Sequence, residues 1–242
     1  MSVCQPKNSC FSCGACCGFL NLKISKTELR NLFKKRTQNF RSLIDFKKAH
    51  TIAAYRQTME EKENKIEKFD NTTYNCPFLG YIDQEEKKIG CMIHPVFTKD
   101  PKSQNFSFYG ASICQGYNCK NKERKTVDYW EDFLSNENLN SIDYSLIISD
   151  HITIELLENF FKTLQIPILV VFQNYTDLLK KIFSHRLNLS QKPELLYTTS
   201  FEINYIESSY SPFYALCERL SICKNSELYF ELETIFTKAP VL

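Results

Sequence analysis

Residues 10–17 have the sequence Cys-Phe-Ser-Cys-Gly-Ala-Cys-Cys, in which cysteine recurs at every third position and the last cysteine is doubled. Cysteines at this spacing on a tight turn can direct two thiolates at one metal, and Gly14 permits the close backbone folding that the turn requires. Cysteines that only fill a hydrophobic core do not follow such a pattern. We therefore expect the N-terminal part of the chain to fold around a thiolate metal site.

Four more cysteines continue the pattern to residue 119. They lie in three short segments, Cys76-Pro77-Phe78-Leu79, Gly90-Cys91-Met92-Ile93-His94 and Cys114-Gln115-Gly116-Tyr117-Asn118-Cys119. The predicted metal ligands are Cys10, Cys13, Cys16, Cys17, Cys76, Cys91, Cys114 and Cys119. His94 is an additional candidate nitrogen donor.

Eight thiols exceed the four ligands that one tetrahedral zinc site or one [4Fe–4S] cluster uses. Either two sites exist or some thiols are not ligands. The side chains of consecutive residues tend to diverge, so Cys16 and Cys17 are expected to serve different sites. One hypothetical division, similar to the three-plus-one layout of bacterial ferredoxins, joins Cys10, Cys13 and Cys16 to Cys76 and leaves Cys17, Cys91, Cys114 and Cys119 for a second site.

Composition and termini narrow the class of protein. The chain has 242 residues, of which 43% are hydrophobic and 24% charged, as in ordinary globular proteins. The N-terminus lacks the apolar stretch of a secretory signal, and the longest apolar segment, residues 166–172, is too short to cross a bilayer. We therefore expect a cytoplasmic protein with no membrane segment, in which reducing conditions favour metal-binding thiols over disulfides.

Several other functions have no support in the sequence. The chain has only 6 glycines, and no phosphate-binding loop, Ser-His-Asp set or H-E-x-x-H motif is present. The basic stretch from Lys23 to Lys48 is more simply a solvated helix face than a nucleic-acid surface, so nucleic-acid binding is not expected.

The cysteines and the charges both divide the chain near residue 120. Nine of the 11 cysteines lie in residues 1–119, which carry 18 Lys and Arg against 11 Asp and Glu, whereas the remainder carries 12 against 17. We predict a mainly α fold with a cysteine-cluster metal-binding domain over residues 1–122 and a helical domain over 123–242. The first domain is expected to contain a helical insert at about 25–68, followed by loops and short strands.

Several helix boundaries are marked by capping residues. Ser25-Lys26-Thr27-Glu28 fits a capping box that opens a helix over residues 25–37, and a second helix is expected within 45–68. In the second domain the predicted helix starts are Thr126, Asp150 and Ser211-Pro212, and another helix is expected over Glu227 to Thr237. The stretch from Leu195 to Ile206 alternates and is expected to be extended.

Three cysteines lie outside the pattern. Cys4 is expected to be a free thiol in a mobile N-terminal end. Cys217 and Cys223 fall among Leu216, Leu220 and Ile222, and we expect both to be core residues.

The order and spacing of the eight cysteines, with Cys-Pro-Phe-Leu at 76–79 and Cys-x-Ile-His at 91–94, resemble the YkgJ-type cysteine-cluster family, described as zinc- or iron-chelating proteins. The resemblance covers about residues 10–119. It departs from the family pattern after Pro95, where a longer stretch precedes Cys114. It implies a bound iron–sulfur cluster, most simply [4Fe–4S], or zinc. Flagellin lysine methylases carry a similar cluster, so the resemblance also implies an iron–sulfur enzyme as an alternative.

Three functions follow as hypotheses. The first is a metal-binding protein that holds an iron–sulfur cluster or zinc and serves electron transfer or structure. The second is an iron–sulfur enzyme, and the third is a zinc-stabilised scaffold whose helical half binds a protein partner. We rank the first highest because eight thiols that close two sites leave no open coordination position for a substrate.

Overall fold

The computed structural model describes residues 3–7, 9–189 and 211–238, and over these residues the fold is mainly helical. In chain order the α-helices are α1 Lys26–Leu43, α2 Ala49–Glu63, α3 Pro95–Thr98, α4 Gly110–Gly116, α5 Val127–Ser135, α6 Ser141–Ser149, α7 His151–Thr163, α8 Ile168–Asn174, α9 Thr176–Leu189, α10 Pro212–Arg219 and α11 Glu227–Lys238. Three short 3-10 helices span Ala15–Cys17, Phe19–Asn21 and Ser103–Phe106. The predicted mainly α class is confirmed.

The predicted capping box opens helix α1. The Ser25 side chain accepts a hydrogen bond from the Glu28 backbone, and the Glu28 carboxylate accepts one from the Ser25 backbone at 2.8 Å. The helix continues beyond the predicted residue 37 to Leu43, because Phe40 extends its buried face. Helix α2 confirms the second predicted helix and buries Ile52, Tyr55 and Met59.

A two-stranded antiparallel hairpin follows helix α2, in the region where short strands were predicted. Strand β1, Leu79–Tyr81, pairs with β2, Ile89–Cys91, with Leu79 opposite Cys91 and Tyr81 opposite Ile89. Helix α1 packs against the hairpin, and Thr37 Oγ1 accepts a hydrogen bond from the Tyr81 backbone N–H at 2.7 Å. This register places the Cys-Pro-Phe-Leu segment beside Cys91.

Helices α5 to α11 surround a core that is rich in aromatic side chains. Asp150 caps α7 as predicted, accepting a hydrogen bond from the Thr153 backbone N–H, and α10 begins at Pro212. Thr126 precedes α5, but its hydroxyl donates to Glu158 instead of capping the helix. The predicted extended stretch from Leu195 to Ile206 lies outside the described residues.

The two predicted domains share their cores. Val3 and Phe11, from the N-terminal end, are buried in the core of the C-terminal helices, where Phe11 packs on Tyr144 with ring centroids 4.7 Å apart. Conversely, Ile142 and Leu146 of helix α6 are buried in the N-terminal core. Whether the two parts fold independently stays a prediction.

Across the described ranges, no helix combines the length and apolar character needed to cross a membrane.

Candidate metal centre

The cysteine turn is held in place by its glycines and by neighbouring backbone. Gly18, between the first two 3-10 helices, has a positive φ of 79°. A Cβ atom at Gly18 would lie 2.1 Å from the Tyr74 carbonyl oxygen, so no other residue fits. This close approach brings Cys76 to the turn, where its backbone N–H donates to the Cys17 carbonyl at 3.0 Å.

A first group of thiols is centred on Cys17. Hydrogen bonds to the thiols of Cys16 and then Cys76 raise the pKa of Cys17 well above its ordinary value. The same contacts lower the pKa of Cys16 to about 7 and lower that of Cys76. These shifts make ionisation easier at Cys16 and Cys76 than at Cys17.

Cys91 and Cys114 lie beside this group. Burial and then the charge of Cys76 raise the pKa of Cys91 to about 12, whereas a hydrogen bond from Gln104 Nε2 to its Sγ at 3.6 Å acts in the opposite direction. The pKa of Cys114 is also raised, mainly by burial, and its Sγ lies 3.4 Å from Ser107 Oγ. Sequence analysis singled out neither Gln104 nor Ser107, because polar residues in a loop carry no distinguishing pattern.

A second group of thiols contains Cys13 and Cys119. Burial raises the pKa of Cys13 well above its ordinary value, and the charges of Cys4, Cys16 and Cys119 raise it further. The backbone N–H of Cys13 donates to the Cys4 carbonyl at 2.8 Å. Cys4 is therefore part of this group, and its expected place in a mobile end is wrong.

The N-terminal segment is fixed because Val3 is a core residue. The side chain of Val3 is only 2% exposed, and its carbonyl accepts a hydrogen bond from the Tyr144 hydroxyl at 2.7 Å. This anchoring leaves the adjacent Cys4 half-buried at the cysteine turn.

Cys10 takes a different position from the other predicted ligands. It is exposed, and its charge acts on Lys87, whose pKa is raised chiefly by Glu85 and to a smaller extent by Cys10. The following residues, Phe11 and Ser12, are both buried, which leaves Cys10 directed at solvent.

The candidate nitrogen donor His94 caps a helix. Its side chain is exposed, and Nδ1 accepts a hydrogen bond from the Val96 backbone N–H at 3.2 Å, at the start of α3. This interaction occupies the lone pair of one ring nitrogen.

A buried arginine positions the Cys-Pro-Phe-Leu segment. Arg36 is completely buried, and its Nη1 donates to the carbonyls of Cys76 at 3.0 Å and Leu79 at 3.2 Å. The rest of its guanidinium pairs with Glu63, and the Tyr55 hydroxyl donates to the Pro77 carbonyl at 3.1 Å. Arg36 belongs to the stretch that we predicted to be a solvated basic face, and for this residue the prediction is wrong.

The two C-terminal cysteines differ from each other. Cys217 is 7% exposed in the core of the helical half, as predicted. Cys223 is exposed, and its predicted core position is wrong because helix α10 ends at Arg219 and Ser221 turns the chain with a φ of 48°.

The chemistry of the thiols fits a thiophilic metal, although their arrangement is not that of a formed coordination site. Within residues 3–7, 9–189 and 211–238, no three His, Cys, Asp or Glu side chains are arranged so that they could hold a metal ion. Cysteine thiolates are the preferred ligands of zinc and of iron–sulfur clusters, with a Zn–S distance of about 2.3 Å. Binding therefore requires the thiol side chains to rotate or their segments to shift toward a common centre.

No protein-family model matches the chain, and searches of curated proteins and of solved structures return no match. The functional argument consequently rests on the site itself.

Proposed function

We propose that this protein binds a soft metal, as an iron–sulfur cluster or as zinc, through cysteine thiolates in its N-terminal part. The supporting observation is the contact of the Cys17 thiol, in the turn at residues 15–17, with the thiols of Cys16 and of Cys76 from a separate segment of the chain. Charges of other thiols also act on Cys13, where those of Cys4 and Cys119 oppose ionisation. Hydrophobic packing does not require such an arrangement, whereas a bound cation stabilises the ionised thiols together.

Two features favour an iron–sulfur cluster over zinc. The spacing of Cys10, Cys13 and Cys16 is ferredoxin-like. In addition, Gln104 and Ser107 contact the sulfur atoms of Cys91 and Cys114. Hydrogen bonds of this kind tune the reduction potential of a cluster and orient its ligands.

A non-catalytic role in electron transfer or structure is preferred to an enzymatic one. The described surface has a groove of about 310 Å³ between helix α2 and Asn105–Phe106, and another of about 630 Å³ between helices α9 and α11. Cysteine lines neither groove, so neither would bring a substrate to the thiols. An iron–sulfur enzyme resembling the lysine methylases and a zinc-stabilised scaffold are the alternatives.

Anaerobic purification followed by elemental analysis, sulfide determination and visible absorption tests the proposal. We expect stoichiometric iron with sulfide and a brown colour, or stoichiometric zinc without colour. The variants Cys13→Ser and Cys76→Ser should lose metal, whereas Cys217→Ser, which changes a buried thiol of the helical half, should retain it. A folded wild-type protein without metal would contradict the proposal.

X-ray absorption of the loaded protein separates the alternatives. Complete ligation by cysteine would support electron transfer or a structural role. An iron with only three cysteine ligands would instead favour the enzyme, because a substrate needs the fourth position.

A further inference from the structure

Exposed apolar side chains are concentrated between residues 96 and 117. Of the 11 large hydrophobic residues that are exposed in the described part of the chain, five lie in this stretch. They are Val96, Phe97, Phe108, Ile113 and Tyr117, which are 46–65% exposed. Single exposed hydrophobic residues are ordinary, whereas a concentration of them marks an interaction surface. We call residues 95–122 the α3–α4 surface.

Hydrogen bonds hold the α3–α4 surface together. Ser103 Oγ donates to the Ile93 carbonyl at 2.7 Å, and Gln115 Nε2 of helix α4 donates to the Pro101 carbonyl at 2.9 Å. Helices α3 and α4 both contact the 3-10 helix Ser103–Phe106, which lies between them in the chain. The exposed side chains are therefore presented by one connected unit.

The aromatic side chains of this surface are already positioned. The Phe108 ring centroid lies 5.0 Å from that of Tyr74 and 5.8 Å from that of Tyr109. Tyr117 follows Ile113 by one helical turn, and its backbone N–H donates to the Ile113 carbonyl at 2.9 Å. Side chains that are fixed before a partner binds lose little conformational entropy on binding.

The α3–α4 surface is also positively charged. Its only acidic residue is Asp100, and it carries four lysines. The lysines are Lys99, Lys102, Lys120 and Lys122, of which the first three are exposed and the last is half-buried. Over the described ranges, none of the four forms an ion pair. The charge of this surface is therefore available to a partner.

The chain itself supplies little compensating charge here. Glu60 reaches the surface by accepting a hydrogen bond from the Tyr74 hydroxyl at 2.8 Å, but it is already paired with Arg56, also at 2.8 Å. An acidic partner would therefore meet lysines that have no competing carboxylate bound to them.

The surface adjoins the thiols. Ser107 Oγ lies 3.4 Å from Cys114 Sγ, and Phe108 is the next residue. Ile113 immediately precedes Cys114 in helix α4. A molecule that covers Phe108 and Ile113 is therefore adjacent to a thiol that we predict to bind metal.

We propose that the α3–α4 surface docks an acidic protein, whose own apolar residues cover the exposed side chains. The lysines steer and orient the partner through charge complementarity, and the apolar side chains supply affinity. This inference rests on the proposed function, which it deepens by naming the class of partner that reaches the cysteine turn.

Two features favour an acidic protein over a nucleic acid. The α3–α4 surface contains no arginine, the residue that pairs with phosphate through two parallel hydrogen bonds and stacks on bases. In addition, Val96 and Ile113 are aliphatic and offer no ring on which a base could stack.

Fluorescence anisotropy with a labelled acidic peptide tests the proposal on the full-length protein. The probe is an amphipathic helix of about four turns, with glutamates on one face and leucines on the other. We expect it to bind in dilute salt and to bind at least about tenfold more weakly in 0.5 M NaCl, because salt screens the charges. A peptide with lysine in place of each glutamate should not bind.

Paired variants locate the binding. Lys102→Glu/Lys120→Glu should weaken binding about tenfold, whereas Lys224→Glu/Lys238→Glu, which changes the net charge equally at two exposed lysines of the helical half, should not. Phe108→Ser should also weaken binding about tenfold, and its control is Phe230→Ser, at a phenylalanine of helix α11 that is 52% exposed. Circular dichroism confirms that each variant is folded.

Several results would overturn the proposal. They are no binding of the acidic peptide, binding that salt does not weaken, and equal losses in the variants and their controls. Tighter binding of a single-stranded oligonucleotide or of phosphatidylserine vesicles would replace the acidic protein with a nucleic acid or a membrane. Self-association that Lys102→Glu/Lys120→Glu abolishes would make a second copy of this chain the occupant.

Metal analysis of the same preparations separates this inference from the proposed function. A wild type that holds metal but does not bind the acidic peptide overturns only the docking surface. A folded wild type that binds the peptide without any metal overturns the proposed function and leaves the docking surface intact.

Discussion

Replacement of Arg36 by methionine should strongly destabilise the N-terminal part of the protein. The guanidinium is completely buried, and methionine has a comparable length but no charge and no donors. The change leaves the Glu63 carboxylate, whose side chain is 12% exposed, without its partner, and removes the donor to the carbonyls of Cys76 and Leu79. Removing one partner of a buried ion pair costs about 3–5 kcal/mol.

The partial exposure of Glu63 lets water reach its carboxylate, which favours the lower part of this range. The loss of two carbonyl hydrogen bonds adds about 1 kcal/mol each. We therefore expect a loss of about 5 kcal/mol in the free energy of unfolding, which for a chain of this length lowers the melting temperature by roughly 15 °C.

Urea denaturation followed by far-UV circular dichroism measures this loss. The matched control is Lys34→Met on the same helix. It removes an ion pair between Lys34 and Glu86, with 3.0 Å between the charged atoms, in which the lysine side chain is 50% exposed. Such surface pairs contribute about 0–1 kcal/mol. The double variant Arg36→Met/Glu63→Met should recover part of the loss, because it leaves no unpaired charge.

Equal destabilisation by Arg36→Met and Lys34→Met would refute the argument, because the buried guanidinium would then have no special role in holding residues 76–79. A double variant less stable than Arg36→Met would show that packing, rather than the unpaired carboxylate, causes the loss.

Two further predictions concern backbone geometry and pH. Gly18→Ala should lower the free energy of unfolding by more than about 2 kcal/mol, because residue 18 has a positive φ and the added Cβ atom would lie 2.1 Å from the Tyr74 carbonyl oxygen. The control is Gly116→Ala, whose added Cβ atom would meet no other atom within 4 Å, and it should not lower the melting temperature. Burial raises the pKa of Cys217 from 9.0 to about 11, which means that the folded state favours the protonated thiol. The contribution of this thiol to the free energy of unfolding is therefore complete below pH 9 and is lost as the pH rises to 11. Cys217→Ala should therefore reduce the fall in urea midpoint between pH 8.5 and 11, whereas Cys223→Ala, at an exposed position, should leave that fall unchanged.

Local sequence signals predicted the helices more accurately than they predicted which cysteines lie together. A capping box or an Asp at a helix start acts within a few residues, and the predicted starts of α1 and α7 are correct. The neighbour of each thiol depends instead on long-range contacts. Cys76 lies beside Cys17 because Gly18 has a positive φ and packs closely on the Tyr74 backbone. The spacing of the cysteines in the sequence does not predict this contact.

The same limit explains the positions of Cys4 and Arg36. Near the N-terminus, the sequence around Cys4 has no periodicity, and its anchoring depends on the burial of Val3 among helices that follow residue 126. Arg36 follows two lysines, so composition predicts a solvated face. Its burial is compensated by Glu63 of the next helix, which composition does not reveal.

The helical half supports the cysteine turn directly. In helix α6, Ser141 Oγ accepts a hydrogen bond from the Ser12 backbone N–H at 3.0 Å, and Ser145 Oγ accepts one from Gly14 at 3.1 Å. Ser141 also donates to the Lys87 carbonyl at 2.6 Å, so one hydroxyl joins the turn to the residue that precedes the second strand by two positions. These backbone N–H groups are buried and would be costly to leave unpaired. The geometry of the thiols therefore depends on residues beyond the cysteine-rich segment.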